Sequence, residues 1–486
     1  MRSRRMLIVL AAIVMLVSGA ASASAASAPY ESYNYNYWRD AVPSPEAYMP
    51  SRSITGENLG IGNFLEPSDM YSTNGNVYVL DRGNNRIVVM DSKWKLKRVI
   101  SEFDNNGKQD GFNKPEGLFA ATDGSIYVAD TANKRIVILN AEGKLAGIIQ
   151  DPKSDILASN FEFVPLKLTV DRAKRVYVVT RGVFEGIVQF DSDGTFIGFV
   201  GTNKVQPNAA DYAWRLYSTK AQREKMVLFI PTEFSNVDID SKGFVYATNI
   251  DPGSDTPVKR ISPSGDDVLK RYGYFPVKGD IRYRQLGVDG GPSTLVDVKV
   301  RDNGMYSVLD SLRSRIFTYD EEGNLLYVFG GKGNQLGTFK LPVAIEAIGE
   351  RMAVLDQGRG RIVEFTPTKF GSSVNKAVAL HNDGQDQAAV KVWQEVLKLN
   401  SNYDIAYIGI GKSYLMEKRN KEAMTYFKLG LDRKDYSVAY KRYRREVIKE
   451  HFGQAMTVVL VIALASCTAW MVTRYRRRRR LISHEG

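Results

Sequence analysis

Asn76-Val-Tyr-Val-Leu-Asp81-Arg-Gly-Asn-Asn-Arg86-Ile-Val-Val-Met90 is the stretch on which the reading of this chain turns, because it is spelled again three times. It returns as Ser125-Ile-Tyr-Val-Ala-Asp130-Thr-Ala-Asn-Lys-Arg135-Ile-Val-Ile-Leu139. It returns again as Gly304-Met-Tyr-Ser-Val-Leu-Asp310-Ser-Leu-Arg-Ser-Arg315-Ile-Phe-Thr-Tyr319 and as Arg351-Met-Ala-Val-Leu-Asp356-Gln-Gly-Arg-Gly-Arg361-Ile-Val-Glu-Phe365. Each copy is a β-rich run, a polar turn opened by Asp and closed by Arg, and a second β-rich run. Hairpins of this kind at a period of roughly 40 to 50 residues predict a mainly β fold, a six-bladed β-propeller.

The copy from Pro115-Glu-Gly117-Leu to Leu139 resembles the NHL-repeat family of β-propellers, and the resemblance extends over residues 52–368. It speaks for the fold, because such propellers host lyases, lactonases and pure binding modules alike. The blades are expected at Pro67 to Ile100, at Pro115 to Ile149, at Pro165 to Val200, and from near Val237, Leu295 and Val343. The third lacks the turn signature, with Thr180 in place of Asp and Gly186 in place of Arg. The sixth has no outer strand of its own after Phe365. Ser53 to Pro67 aligns with Val328 to Pro342, so residues near Arg52 to Thr55 are expected to supply that strand and leave no open edge. The Asp of each turn is read as structural, bonding its own backbone, with the Arg tying neighbouring blades.

Both ends carry membrane signals. Arg2, Arg4 and Arg5 precede an apolar run from Met6 to Val17 and an Ala/Ser tract, the pattern of a secretory signal peptide over residues 1–25. Ala455 to Val472 is uncharged and just long enough to span a bilayer, with Trp470 near its end and Arg474 and Arg476 to Arg480 beyond it. The preceding flank is also basic, so the signal peptide decides the orientation. Residues 473–486 are expected in the cytoplasm and the bulk of the chain outside the cell membrane. The formal net charge of +12 falls to +6 without the six C-terminal arginines, which weakens any nucleic-acid reading. The single cysteine, Cys467, excludes an intrachain disulfide.

Between propeller and span a different period appears. Ala377, Leu380, Ala389 and Trp393 are followed at the tetratricopeptide spacing by Gly411, Tyr414, Ala423 and Phe427. Residues 372–436 therefore resemble two tetratricopeptide repeats, with residues 437–452 expected as a capping helix. A peptide-binding groove and a rigid stalk are both compatible with such a pair. The whole chain resembles membrane-anchored surface proteins of Gram-positive bacteria, which implies a place beside envelope or transport components.

Chemistry is thinly signalled. His381, His451 and His484 all lie outside the propeller, which excludes a histidine-based zinc or acid/base site there. Lactonase-type propellers hold a divalent cation with carboxylate and amide groups, and Glu116, Asn236 and Asp238 are the candidates for that alternative. The main reading is a binding or scaffold protein without a cofactor. Insertions at Gly201 to Phe234 and Tyr272 to Ser293 are expected on one face, carrying Tyr212, Trp214, Arg215, Tyr217, Tyr274, Tyr283 and Arg284 as contacts for a glycan, peptide or protein. Residues 26–51, rich in Tyr, are read as a strap across the propeller.

Overall fold

The computed structural model describes residues 27–154, 157, 161–201 and 233–482. Six antiparallel sheets form the propeller, each beginning with an inner strand: Asp69–Thr73, Gly117–Ala120, Pro165–Val170, Phe234–Ile239, Leu295–Arg301 and Pro342–Ile348. Each inner strand touches the next, and the last returns to the first, so the ring is closed. The apolar alternation of the repeats explains the packing, since residues two apart point to the same face of a strand. Val77, Val79 and Val88 of blade one meet Ala344, Ala353 and Leu355 of blade six, while Leu80, Ile87 and Val89 meet Leu118, Val128 and Val137 of blade two. Every blade is thus stabilised by burial against two neighbours.

Closure comes from the N-terminus. Tyr48–Thr55 pairs antiparallel with Arg361–Pro367 as the outer strand of blade six, with Ser53 opposite Val363 and Ile54 opposite Ile362. Ahead of it, Tyr33–Tyr35 forms a hairpin with Ala41–Pro43 and lies along the outer strand of blade five, Leu325–Phe329. Asn34 Nδ2 donates to the Leu325 and Leu326 carbonyls at 3.1 and 3.3 Å. Asp280 fastens this segment: it accepts from the Tyr33 hydroxyl, from the Tyr35 hydroxyl at 3.0 Å and from Arg315 Nη1 at 2.6 Å.

The Asp/Arg turns are structural, but the carboxylate has a different partner from the one expected. Asp81, Asp130, Asp310 and Asp356 accept from the backbone N–H groups of Leu65, Asn113, Thr294 and Leu341 at 2.7–2.9 Å. Each buried Asp therefore holds the connector entering its own blade; Asp310 alone of the four also accepts from a backbone N–H of its own turn, Leu312 N. Arg86 Nε and Arg135 Nε donate to Asp81 and Asp130, and their outer nitrogens reach Ile61 O and Asp110 on those same connectors. A charged acceptor makes such bonds worth about 1.5–3 kcal/mol each. In blade three the substitute Thr180 is buried with its hydroxyl unpaired.

Blade four has three strands, Phe234–Ile239, Val245–Asn249 and Val258–Ile261, followed by a single bridge from Ile261 to Asp267. The chain then leaves the sheet and runs along the outside of blade five. Tyr272 N donates to Glu322 O at one end of that blade, and Gly279 N to the Tyr319 hydroxyl further along.

A helical region follows: α1 Lys369–Asn382, α2 Asp386–Leu399, α3 Asp404–Met416, α4 Asn420–Leu429 and α5 Arg433–Ile482. Thr368 caps α1 by accepting from Gly371 N at 3.2 Å. Ala377, Ala389, Trp393, Ala423 and Phe427 are all buried, the small residues where helices approach and the rings wedged between them. One hydrophobic core runs from Phe329, Ile345 and Phe365 of the propeller through Tyr48 into Phe370, Val374 and Tyr403 of the helices. The segment expected as a capping helix is the first part of α5, which continues without a break into the apolar stretch.

Candidate functional site

The axis of the propeller is filled by two rings of side chains from the inner strands. Register places Asp69, Lys167, Asn236 and Asp297 at equivalent positions, each opposite the residue that precedes the polar turn. Asp69 meets Lys167 Nζ at 3.2 Å and accepts from Leu118 N; Asp297 accepts from Asn236 Nδ2 at 2.6 Å and from Ile345 N. Two residues on, Tyr71, Asp238, Lys299 and Glu346 form the second ring. Lys299 Nζ lies 3.0 Å from Glu346, 3.4 Å from Asp238 and 4.5 Å above the Tyr71 ring.

The electrostatics follow from burial. Burial, then repulsion from Asp69, pushes the Asp297 carboxyl well above the usual carboxylate range. Burial holds Glu346 up to about 7 against the pull of Lys299. For Lys299 burial opposes the charge, but Asp238 and Glu346 outweigh it and keep the ammonium protonated. Above the second ring a cavity of about 950 Å³ opens, lined by Tyr71, Phe119, Lys299 and Glu346, with Arg172 and Lys242 at its rim. Its rim is made by turns joining first and second strands. It therefore opens on the face opposite the Asp/Arg turns and the blade-to-blade insertions.

The alternative metal candidates are separated. Glu116 pairs with Arg82 at 2.8 Å, whereas Asn236 and Asp238 belong to the two axial rings and bond to Asp297, Lys299 and Val300 N. Three carboxylate or amide groups do converge in the first ring, but a lysine ammonium from the chain itself sits among them. Among the described residues no group of three His, Cys, Asp or Glu has an arrangement that would hold a metal ion. The lysines were missed because residue types change from blade to blade within each ring, which leaves no repeated motif.

Of the aromatic candidates, Tyr212, Trp214, Arg215 and Tyr217 lie outside the described residues. Tyr283 sits under the Arg313 guanidinium, 5.5 Å from its ring centre, beside the Asp310–Arg315 turn, and Arg284 is exposed next to it. Tyr274 is elsewhere. Its hydroxyl donates to Gly430 O at the end of α4, and its ring meets Tyr37 at 5.6 Å. The turns nearest Tyr283 and Tyr274 cap opposite ends of the strand Arg315–Asp320, so the two tyrosines do not share a face. Beside Tyr274, the turn Asp320-Glu321-Glu322-Gly323-Asn324 of blade five meets the helices, where Lys412 pairs with Glu322. Tyr403 and Asn375 complete this joint by bonding Leu326 O at 2.7 Å and the Tyr327 hydroxyl at 2.6 Å.

Residues 64–90 match the family model of the NHL repeat. Among solved structures the chain is similar to virginiamycin B lyase from Staphylococcus aureus, at 14% identity and TM-score 0.37, over 66% of this chain and 90% of that one. It is similar to a streptogramin B lyase at 13% identity and TM-score 0.38, over 66% of this chain and 100% of that one. Raptor from Chaetomium thermophilum matches at 12% identity and TM-score 0.37, over 66% of this chain and 29% of that one. Likeness at this level carries no argument about chemistry. No curated protein matches the chain. The chain carries an NHL repeat in a mainly β, six-bladed propeller, followed by a helical region with one helix long and apolar enough to cross a membrane.

Proposed function

We propose that this is a membrane-anchored, extracytoplasmic binding or scaffold protein of the Gram-positive surface type, a propeller held on a tetratricopeptide stalk. One observation carries the reading. Helix α5 starts in the joint, with Ala439 buried against Ile408 and Phe427, and continues into an uncharged window of mean hydropathy 2.2, none of it buried. An exposed apolar helix of that length is costly in water and favourable in a bilayer. Arg474 lies 5.1 Å over the Trp470 ring at the end of the window, as suits a headgroup anchor. The stretch from Arg433 to Ala455 would lift the propeller by about 33 Å at 1.5 Å per residue.

The helical pair serves as a stalk more than as a groove. Its inner face is already met by the blade-five turn through Lys412 and Glu322, and the shared core makes the joint rigid. The insertion face, with Trp214 and Tyr283 as leading contacts, is the surface offered to a glycan, peptide or protein partner. A screen of envelope glycans and peptides against the full chain tests this: Trp214→Ala should weaken binding roughly tenfold to a hundredfold, the burial energy of one aromatic ring, without lowering the melting temperature. Unchanged binding would count against the face. The lactonase-like alternative draws on the convergence of Asp69, Asn236 and Asp297, and chelator-sensitive lactone turnover would favour it instead.

A further inference from the structure

We propose that the part of α5 lying before the apolar stretch binds a linear phosphodiester polyanion along its outward face. The helical period sorts this part of α5 into two sides. Tyr436, Ala439, Tyr443 and Val447, at steps of three and four, turn toward the rest of the helical region; Ala439 is buried and the other three are half-buried. Lys441, Arg445 and Lys449 follow one another at steps of four on the opposite side. All three are exposed, as is Arg444 beside them. Exposed Ile448 and Phe452 extend that side down to the apolar stretch.

Charge is sorted in the same way. Residues 437–452 hold five Lys and Arg against two carboxylates, Glu446 and Glu450. Both carboxylates fall toward the packed side, where Glu446 accepts from Asn420 Nδ2 of α4 at 2.6 Å. Arg442 donates to Leu415 O of α3 at 3.3 Å. Lys441, Arg444, Arg445 and Lys449 have no ion-pair partner among the described residues. Under the topology proposed above these charges stand outside the membrane, where basic residues beside a span oppose its orientation. A cationic face kept against that tendency points to an anionic ligand.

Height and spacing define that ligand. At 1.5 Å per residue Lys449, Arg445 and Lys441 stand about 9, 15 and 21 Å above Ala455, whereas the headgroup layer on each side of a bilayer is roughly 5–8 Å thick. Helix α5 does not break before the apolar stretch, so it holds these residues off the membrane surface, and their ligand extends into the aqueous space. Successive cations are about 6 Å apart along the axis. Three extended backbone bonds span about 3.3–3.6 Å, so a phosphodiester with six backbone bonds per charge repeats at up to about 7 Å. Such a chain sets one phosphate against each cation. An acidic peptide carries its charges twice as densely and turns every second one away.

The test uses the full chain in discs of neutral phosphatidylcholine and a labelled octamer of glycerol phosphate, a six-bond phosphodiester. Fluorescence anisotropy should show saturable binding, with log K falling against log salt at a slope of about −3, as four neutralised phosphates at about −0.7 each imply. Lys441→Gln, Arg445→Gln and Lys449→Gln should each make the slope shallower by about 0.7. Lys144→Gln, at an exposed residue of blade two, should leave it unchanged. No saturable binding, equal slopes for the parent and the α5 variants, or a polyglutamate of the same charge binding as tightly would each overturn the proposal. So would displacement of the octamer by glycerophosphoglycerol at equal phosphate concentration, because the face would then hold single lipid headgroups and not a chain. Binding in discs does not depend on which side of the membrane α5 faces, so its failure is distinct from a failure of the proposed topology.

Discussion

Tyr48→Ala is the substitution that the architecture makes most costly for a single residue. Tyr48 begins the strand that closes blade six and is fully buried. Its ring stacks on Phe329 with centroids 4.8 Å apart and tilts against Tyr327 at 5.7 Å. Its hydroxyl donates to Glu350 O at 3.1 Å and accepts from Asn375 Nδ2 at 3.0 Å and from Arg301 Nη1 at 3.4 Å. Truncation leaves an aromatic-sized void, about 3–5 kcal/mol, and strips an acceptor from two buried donors, about 1–3 kcal/mol. A loss of roughly 5 kcal/mol is a large part of the 5–15 kcal/mol that a domain possesses. At about 2 °C per kcal/mol for a large domain, the melting temperature should fall by about 10 °C. Scanning calorimetry of the full chain measures this directly, with Tyr48→Phe intermediate and Trp38→Ala, at a residue 66% exposed, as the neutral control. A Tyr48→Ala protein melting within a degree or two of the parent would refute the idea that the N-terminal strand locks the ring to the helices.

Gly371→Ala should loosen the same joint from the helix side, because a Cβ there would stand 2.0 Å from Ala47 O; a loss of about 1–3 kcal/mol and faster proteolytic separation of propeller and helices are expected. Glu346 gives a pH signature. Its carboxyl is held at about 7 against 4.5 when unfolded, so the folded state keeps a proton that the unfolded chain releases, and stability falls as pH rises from 4.5 to 7. Comparing denaturation of the parent with Glu346→Gln over that window should show about one proton less dependence in the variant, on the order of 3 kcal/mol in all; parallel curves would contradict the assignment.

How much was legible depended on whether a feature repeats or lies close in sequence. The blades were readable because Asp81, Asp130, Asp310 and Asp356 recur with their arginines. Closure was readable because Ser53 to Pro67 restates Val328 to Pro342. The partners of those same aspartates were not, since the connector N–H groups lie 15 to 17 residues upstream. Nor were the axial lysines, whose partners come from other blades and meet them only in three dimensions. Tyr274 and Tyr283 look alike in a sequence, yet one seals a joint and the other lies at the far end of the blade. An aromatic in an insertion does not announce whether it glues or binds. The loss of a regular outer strand in blade four, which sends residues 272–293 along blade five, has no signal in composition at all.

The central claim is a propeller outside the membrane joined to a cytoplasmic tail by one span, and cysteine labelling tests it most directly. Cys467 is the sole cysteine and lies within the apolar stretch of α5, so it can be replaced by Ala and single cysteines installed elsewhere. With a membrane-impermeant maleimide on intact cells, a cysteine at exposed Lys97 in blade one should label at once, while one at Arg480 should label only after permeabilisation. Labelling of position 480 from outside, or protection of position 97 in intact cells, would contradict the account.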